Sequence, residues 1–198
     1  SYDLTGKVLS SIVSEGKKYV LDHKEGDALT GTVTGKVEVT LVYSLDSNDN
    51  GTPDKYEAVV TYRIVHGTFP ESKTESKTEV VTDPFLLKKW NSDDMVWEDA
   101  DPTPTLGATI PTPTANTGYT QGTGAWNTVI TKDTEVTENV TYTYTYSAVN
   151  QYTAKVNYVD DSGSAKVLKA ADVTTITHFE SYDLTGKVLS SIVSEGKK

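Results

Sequence analysis

SYDLTGKVLSSIVSEGKK stands at residues 1–18 and again, letter for letter, at residues 181–198. Chance does not produce two identical runs of eighteen residues. The second copy begins 180 residues after the first, so the chain completes one period of a tandem repeat and enters the next. It therefore reads as a window cut from a long array, and every other assignment is arranged around that seam.

Working outward from the seam, Leu4, Val8 and Ile12 recur at i, i+4 and i+8, with Leu9 and Val13 beside them. That spacing predicts a short helix with one buried face. Asp3 or Thr5 can cap its start and Gly16 can end it in the left-handed conformation, although Gly6 and the serines leave it little intrinsic helicity. Such a helix needs a sheet to lie on. Strands are expected at Tyr19–Leu21, Thr30–Thr34 and Val37–Tyr43 after the first copy. Before the second copy they are expected at Tyr152–Val159 and Lys166–Val173, joined by a turn at Asp160–Gly163.

Taken in repeat order, the unit is strand, turn, strand, helix and further strands. The runs YTAKVNYVDDSG, SYDLT and KYVLDHKEGDALTGTVTGKVEVTLVYSL resemble the MucBP-type mucin-binding domain of bacterial surface proteins. The matching positions are Val156, Tyr158, Val159, Asp160 and Gly163, then Tyr19 and Leu21, then Val37, Val39, Leu41 and Tyr43. The resemblance covers Tyr152–Lys198 and Ser1–Leu45, about half the chain. It implies a β-grasp (ubiquitin-like) fold, and mucin or another host glycoprotein as ligand. Here the domain is split, with its opening hairpin at the C-terminal end and its closing strands at the N-terminal end. In a β-grasp sheet the first and last strands run parallel, so the chain ends leave from opposite ends and an array is elongated. Neither half buries its core alone, and the halves are expected to associate in trans, head to tail between molecules.

The expected fold is therefore α+β and β-rich: two small β-grasp-like domains in an elongated array, one of them split. Residues 1–45 form the C-terminal part of one such domain, 46–57 a linker, 58–147 a second small β-rich domain, and 151–198 the opening of the next. In the middle domain, strands are expected at Val59–Val65, Glu79–Thr82 and Thr141–Tyr146. Phe85–Leu87 reads as a helical turn or an apolar loop, Met95–Trp97 as a short strand, and Asp101–Pro113, with four prolines, as loop.

The linker carries the one constellation with chemistry. Asp46 to Glu57, DSNDNGTPDKYE, meets the pattern D-x-[DN]-x-[DN]-G-x5-E. Asp46, Asn48, Asn50, Thr52, Asp54 and Glu57 are its candidate ligands, and Gly51 permits the tight turn. Oxygen donors on alternate residues converge on one point and suit Ca²⁺ better than Mg²⁺. No helices are expected to flank the loop, and Asp, Asn, Gly and Pro are also plain turn-formers, so a solvated linker is the competing reading. With calcium bound, the joint would stiffen.

Composition excludes more than it assigns. A net charge of −10 and a single arginine, Arg63, disfavour nucleic acid and anionic lipid. No run approaches the ~20 apolar residues of a membrane span, and no leader is read, as expected of an internal slice. The chain has no cysteine, which fits a Gram-positive surface array rich in Thr, Val and Tyr. His23, His66 and His178 are isolated, and neither a zinc-protease H-E-x-x-H nor a G-x-S-x-G elbow occurs. The carboxylates Asp93, Asp94, Glu98, Asp99 and Asp101 read as a solvated face. An enzyme is not expected.

The expected function is that of a non-enzymatic repeat module of an extracellular, cell-wall-attached adhesin that binds host mucin or glycoprotein. Binding of a host protein such as immunoglobulin is an alternative, and a calcium-stiffened spacer without ligand is another. Phe85, Leu86, Trp90, Trp97 and Trp126 are the ligand-contact candidates, weighed against a core role.

Overall fold

The computed structural model describes residues 1–193, so the last five residues of the second repeat copy lie outside it. The chain is β-rich, and among the described residues the only helical turns are of the 3-10 type. None is long and apolar enough to cross a membrane.

The helix expected over the first repeat copy does not form. Tyr2–Asp3 pairs with Thr30–Gly31, Thr5–Lys7 makes a single 3-10 turn, and Ser11–Ser14 is a strand. The Asp3 carboxylate accepts from the Thr5 amide (2.9 Å) and hydroxyl (2.6 Å), which starts the turn but not a helix. Gly16 is left-handed as expected, but it follows Glu15, also at positive φ (51° and 74°). Two successive left-handed residues make the tight hairpin turn that matches strand twist. The β-branched Ile12 and Val13 then lie opposite Tyr19 and Lys18. Helical spacing in the sequence loses to turn chemistry and to the neighbouring strand.

Lys17–Gly26 is the central strand of the N-terminal sheet, antiparallel to Ser11–Ser14 on one side and to Val39–Leu45 on the other. The expected strand at Thr30–Thr34 shrinks to Thr30–Gly31, and the one expected at Val37–Tyr43 is displaced to Val39–Leu45. A register shift between Leu21 and His23 marks a bulge at Asp22. Val20, Leu21 and Asp22 are all buried, which plain alternation does not allow on a one-sided sheet. The hairpin Lys88–Asn91/Val96–Asp99 packs against this strand, and the Trp97 indole donates to the Leu21 carbonyl (3.0 Å).

The middle of the chain holds the main core. Val60–Val65 and Val140–Thr145 run parallel side by side, flanked by Glu79–Val81 and Ala125–Trp126. Period-two alternation turns Val60, Tyr62 and Ile64 inward against Phe69, Leu106, Val136, Tyr142 and Tyr146. The two fully buried tyrosines keep polar partners: Tyr62 meets the Thr109 hydroxyl (2.9 Å), and Tyr146 accepts from the Gln121 amide (3.0 Å). Phe85–Leu86 forms a two-residue ladder with Glu57–Ala58.

At the far end, Gln151–Val159 and Val167–Thr177 make the expected long hairpin. Asp160 organises its turn by accepting from the amides of Ser162 (3.2 Å) and Lys166 (2.8 Å). Tyr158 is its one buried apolar side chain, and a lone two-stranded hairpin with so little core is marginal.

Candidate functional site

Three places draw together the residues singled out by sequence. The first is the loop Asp46–Glu57. Asp46 is 1% exposed at its base and accepts from the amides of Asn50 (3.1 Å) and Gly51 (3.0 Å). The Lys18 ammonium lies 3.2 Å from the same carboxylate and also binds Asp49. Burial pushes the Asp46 pKa up, but the Gly51 amide, Lys18 and the Asn50 amide more than reverse this and hold it below the usual range. The Asn50 side-chain oxygen accepts from the Thr52 amide (2.9 Å). Asn48 donates to one Glu57 oxygen (2.8 Å) and Asn50 to the other. Asp54 turns instead to the amide (2.8 Å) and hydroxyl (2.6 Å) of Ser47.

Asn48, Asn50 and Glu57 therefore converge, Asp46 sits beneath them with Lys18, and Asp54 faces Ser47. Among the described residues no three His, Asp or Glu side chains gather as a metal cluster. The loop's donors are carboxylates and amides, and turning each amide over about its terminal torsion would present oxygen where nitrogen now lies. The all-oxygen donor set fits a hard cation such as Ca²⁺, with Lys18 supplying the competing positive charge. A cleft of about 420 Å³ beside the loop is lined by Asn48, Asn50 and Thr52, with Asp83, Pro84 and Leu86 opposite. Sequence reasoning did not single out Lys18 or Asp83, because nothing in local spacing brings residues 18 and 83 to a loop at 46–57.

The second place is a cleft of about 480 Å³ where the first repeat copy meets the tryptophan hairpin. Thr5, Val8 and Ser10 line one wall, and Trp90, Met95 and Trp97 another. Trp90 and Trp97 are direct cross-strand partners, with ring centroids 5.5 Å apart. Trp97 also packs on Tyr56 (5.7 Å) and spends its N–H on Leu21, which makes it the fixed member of the pair. The other aromatic candidates lie elsewhere. Phe85 packs on the middle core, and Trp126 rests on Tyr62 (5.6 Å), Phe69 (6.1 Å) and Tyr144 (5.1 Å). Leu86 is exposed beside the Asp46 loop. The histidines have ring or carboxylate neighbours: His23 lies between Asp22 (2.8 Å) and Glu25 (3.1 Å), His66 stacks on Tyr119, and His178 meets Phe179 edge-on.

The third place is the repeated segment itself. The two copies share one local turn: Leu4 (φ −108°, ψ 4°) and Leu184 (φ −107°, ψ 4°) precede matching 3-10 turns, while the strands at Tyr2–Asp3 and Ser11–Ser14 have no counterpart among the described residues of the second copy. Asp183 engages Thr185 as Asp3 engages Thr5. Their surroundings differ. The first copy is held by the sheet that follows it: Leu4 donates to the Leu29 carbonyl, the Tyr2 hydroxyl reaches Ala28, and the Leu9 and Ser10 carbonyls accept from Tyr43 and Leu21. The second copy is held by the hairpin that precedes it, with the Tyr158 hydroxyl donating to the Lys187 carbonyl (2.6 Å). The Asp172 carboxylate lies 2.8 Å from the same hydroxyl and competes for its one proton. In the second copy Tyr182 and Val188 are left 66% and 76% exposed, whereas Tyr2 and Val8 are half-buried. No protein family, curated protein or solved structure matches this chain.

Proposed function

We propose that the chain is a non-enzymatic repeat module of an extracellular, cell-wall-attached adhesin, in which each seam between repeats closes one bead. The observation that carries this reading is the division of labour between the two repeat copies. One set of contacts, from Leu4, Leu9 and Ser10, belongs to the following sheet; the other, at Lys187, belongs to the preceding hairpin. The two sets use different atoms of the same eighteen residues, so their hydrogen bonds do not compete. A bead is then hairpin, segment and sheet, split across the seam as the MucBP resemblance implies. Support for a β-grasp-like strand order in the middle unit is the parallel pairing of Val60–Val65 with Val140–Thr145, although a 3-10 turn at Gly107–Thr109 stands where a helix is usual.

The ligand reading follows the resemblance: host mucin or another glycoprotein, taken at the Trp90–Trp97 cleft, where indole faces stack on sugar rings and Thr5, Ser10 and Ser92 supply hydroxyls. The loop at Asp46 would hold Ca²⁺ and stiffen the joint. A host-protein partner such as immunoglobulin is favoured by one separate feature, the edge strand Ser11–Ser14 with Val13 73% exposed. The deciding experiment is binding of the chain to immobilised mucin glycoprotein and to serum immunoglobulin. We expect saturable mucin binding that falls about tenfold in Trp90→Ala, the scale of one lost aromatic stack. Immunoglobulin binding alone would overturn the glycoprotein reading, and no binding to either would leave a spacer.

A further inference from the structure

We propose that the C-terminal hairpin of one chain docks on the first repeat copy of a second chain, the Tyr158 hydroxyl donating to the Lys7 carbonyl, and that the chain's own second copy is the competitor that caps this site. The proposal rests on the bead reading above and adds an exchange between molecules. The occupant is dictated by identity. The hairpin already holds the second copy at Lys187, and the same residues Thr-Gly-Lys stand at 5–7 in the same 3-10 turn, within an identical eighteen-residue run.

The acceptor is open. In the first copy the carbonyls of Leu4, Thr5, Leu9 and Ser10 accept hydrogen bonds, while among the described residues none is donated to that of Lys7. The sheet holds Tyr2 and Leu4 in place, so the first copy meets a hairpin already ordered, whereas residues 188–193 of the second copy form no strand. Apolar side chains wait on both partners: Leu9 on the first copy, and Val159, Val167 and Val173 on the hairpin, are all more than two-fifths exposed. Charge does not oppose the exchange, because Lys7 brings to Asp172 the same ammonium that Lys187 now brings.

What restrains the exchange is tether length. The second copy follows the hairpin directly, and its effective concentration there is of millimolar order. Trans docking therefore grows with protein concentration and with any change that loosens the second copy alone. Asp183→Ala removes the side chain that shapes the Thr185 turn in the cap and leaves Asp3 in the receptor intact.

The test uses the whole 198-residue chain. Since the sequence has no cysteine, Lys7→Cys/Asp172→Cys and Lys187→Cys/Asp172→Cys pairs can be joined with a short bis-maleimide. The Lys187 pair is expected to close within one chain. The Lys7 pair is expected to give a ladder of linked chains that strengthens several-fold with Asp183→Ala and weakens several-fold with Tyr158→Phe. Sedimentation of the otherwise unaltered Asp183→Ala chain, expected to grow heavier with concentration, guards against damage from the substitution at 172. Closure of the Lys187 pair with the Lys7 pair remaining unlinked, or a monomer at every concentration, would overturn the exchange. Those results leave the bead reading standing if a two-repeat chain still closes its internal seam, and remove both if it does not.

Discussion

Asp22 is 2% exposed, and one of its carboxylate oxygens has no hydrogen-bond partner while the other binds Lys55 (2.8 Å) and His23 (2.8 Å). Burial pushes its pKa up, but the hydrogen bonds from Lys55, His23 and Tyr56 outweigh this and hold it below the ordinary value. The hydrogen bond to Asp22, then that to Glu25, raises His23. The signs follow by linkage. Asp22 contributes stability that is present above about pH 4, its unfolded value, and is lost as pH falls toward the folded one. His23 contributes stability that is full below about pH 6.5 and is lost as pH rises through its raised folded value. Urea midpoints should therefore peak between those limits. Lys55→Met should lower stability by roughly 1–2 kcal/mol, the low end for a buried carboxylate losing a half-exposed partner, and should shrink the acid limb. His23→Gln should flatten the alkaline limb. A midpoint that ignores pH in the parent chain would refute this account. Sequence hid the residue: an Asp inside a run of strand-formers looks solvent-facing until a bulge turns it inward.

At the scale of elements, most strands were legible because alternation survives in Val60–Val65, Val140–Thr145 and Gln151–Val159. The repeated segment misled because Leu4, Val8 and Ile12 satisfy helical spacing while Glu15–Gly16 satisfies a hairpin turn, and only the neighbouring strand decides between them. The Asp46 loop was legible as a motif but not as a set of contacts. Lys18 arrives from a different strand, and Asp54 is drawn off by Ser47. Calcium must displace the ammonium of Lys18 from Asp46 and turn two amides over, so the affinity expected by calorimetry is weak, about 0.1–1 mM, as in extracellular modules. Lys18→Met should tighten it several-fold by removing the competitor. Glu57→Gln should weaken it at least tenfold, because Glu57 is the carboxylate on which Asn48 and Asn50 converge. No heat up to about 10 mM would refute a calcium loop.

For the whole molecule, the exact repeat of residues 1–18 at 181–198 is the feature from which the proposed bead is built. It could not say which contacts each copy keeps, because the first copy has only the sheet beside it in sequence and the second only the hairpin. A chain carrying two full repeats offers its internal segment both neighbours at once. The amide of Leu184 then gains the acceptor that Leu4 finds at Leu29, while the Lys187 carbonyl retains Tyr158. Protection of that amide against hydrogen exchange should rise at least tenfold over the single-repeat chain, since the amide then gains an acceptor within a cooperative unit. The hairpin, marginal when Tyr158 is its one buried apolar side chain, should then melt together with the sheet of the next repeat instead of before it. If the Leu184 amide exchanges equally fast in both chains, and the hairpin still melts separately, the two halves do not belong to one bead and the array has flexible joints at every seam.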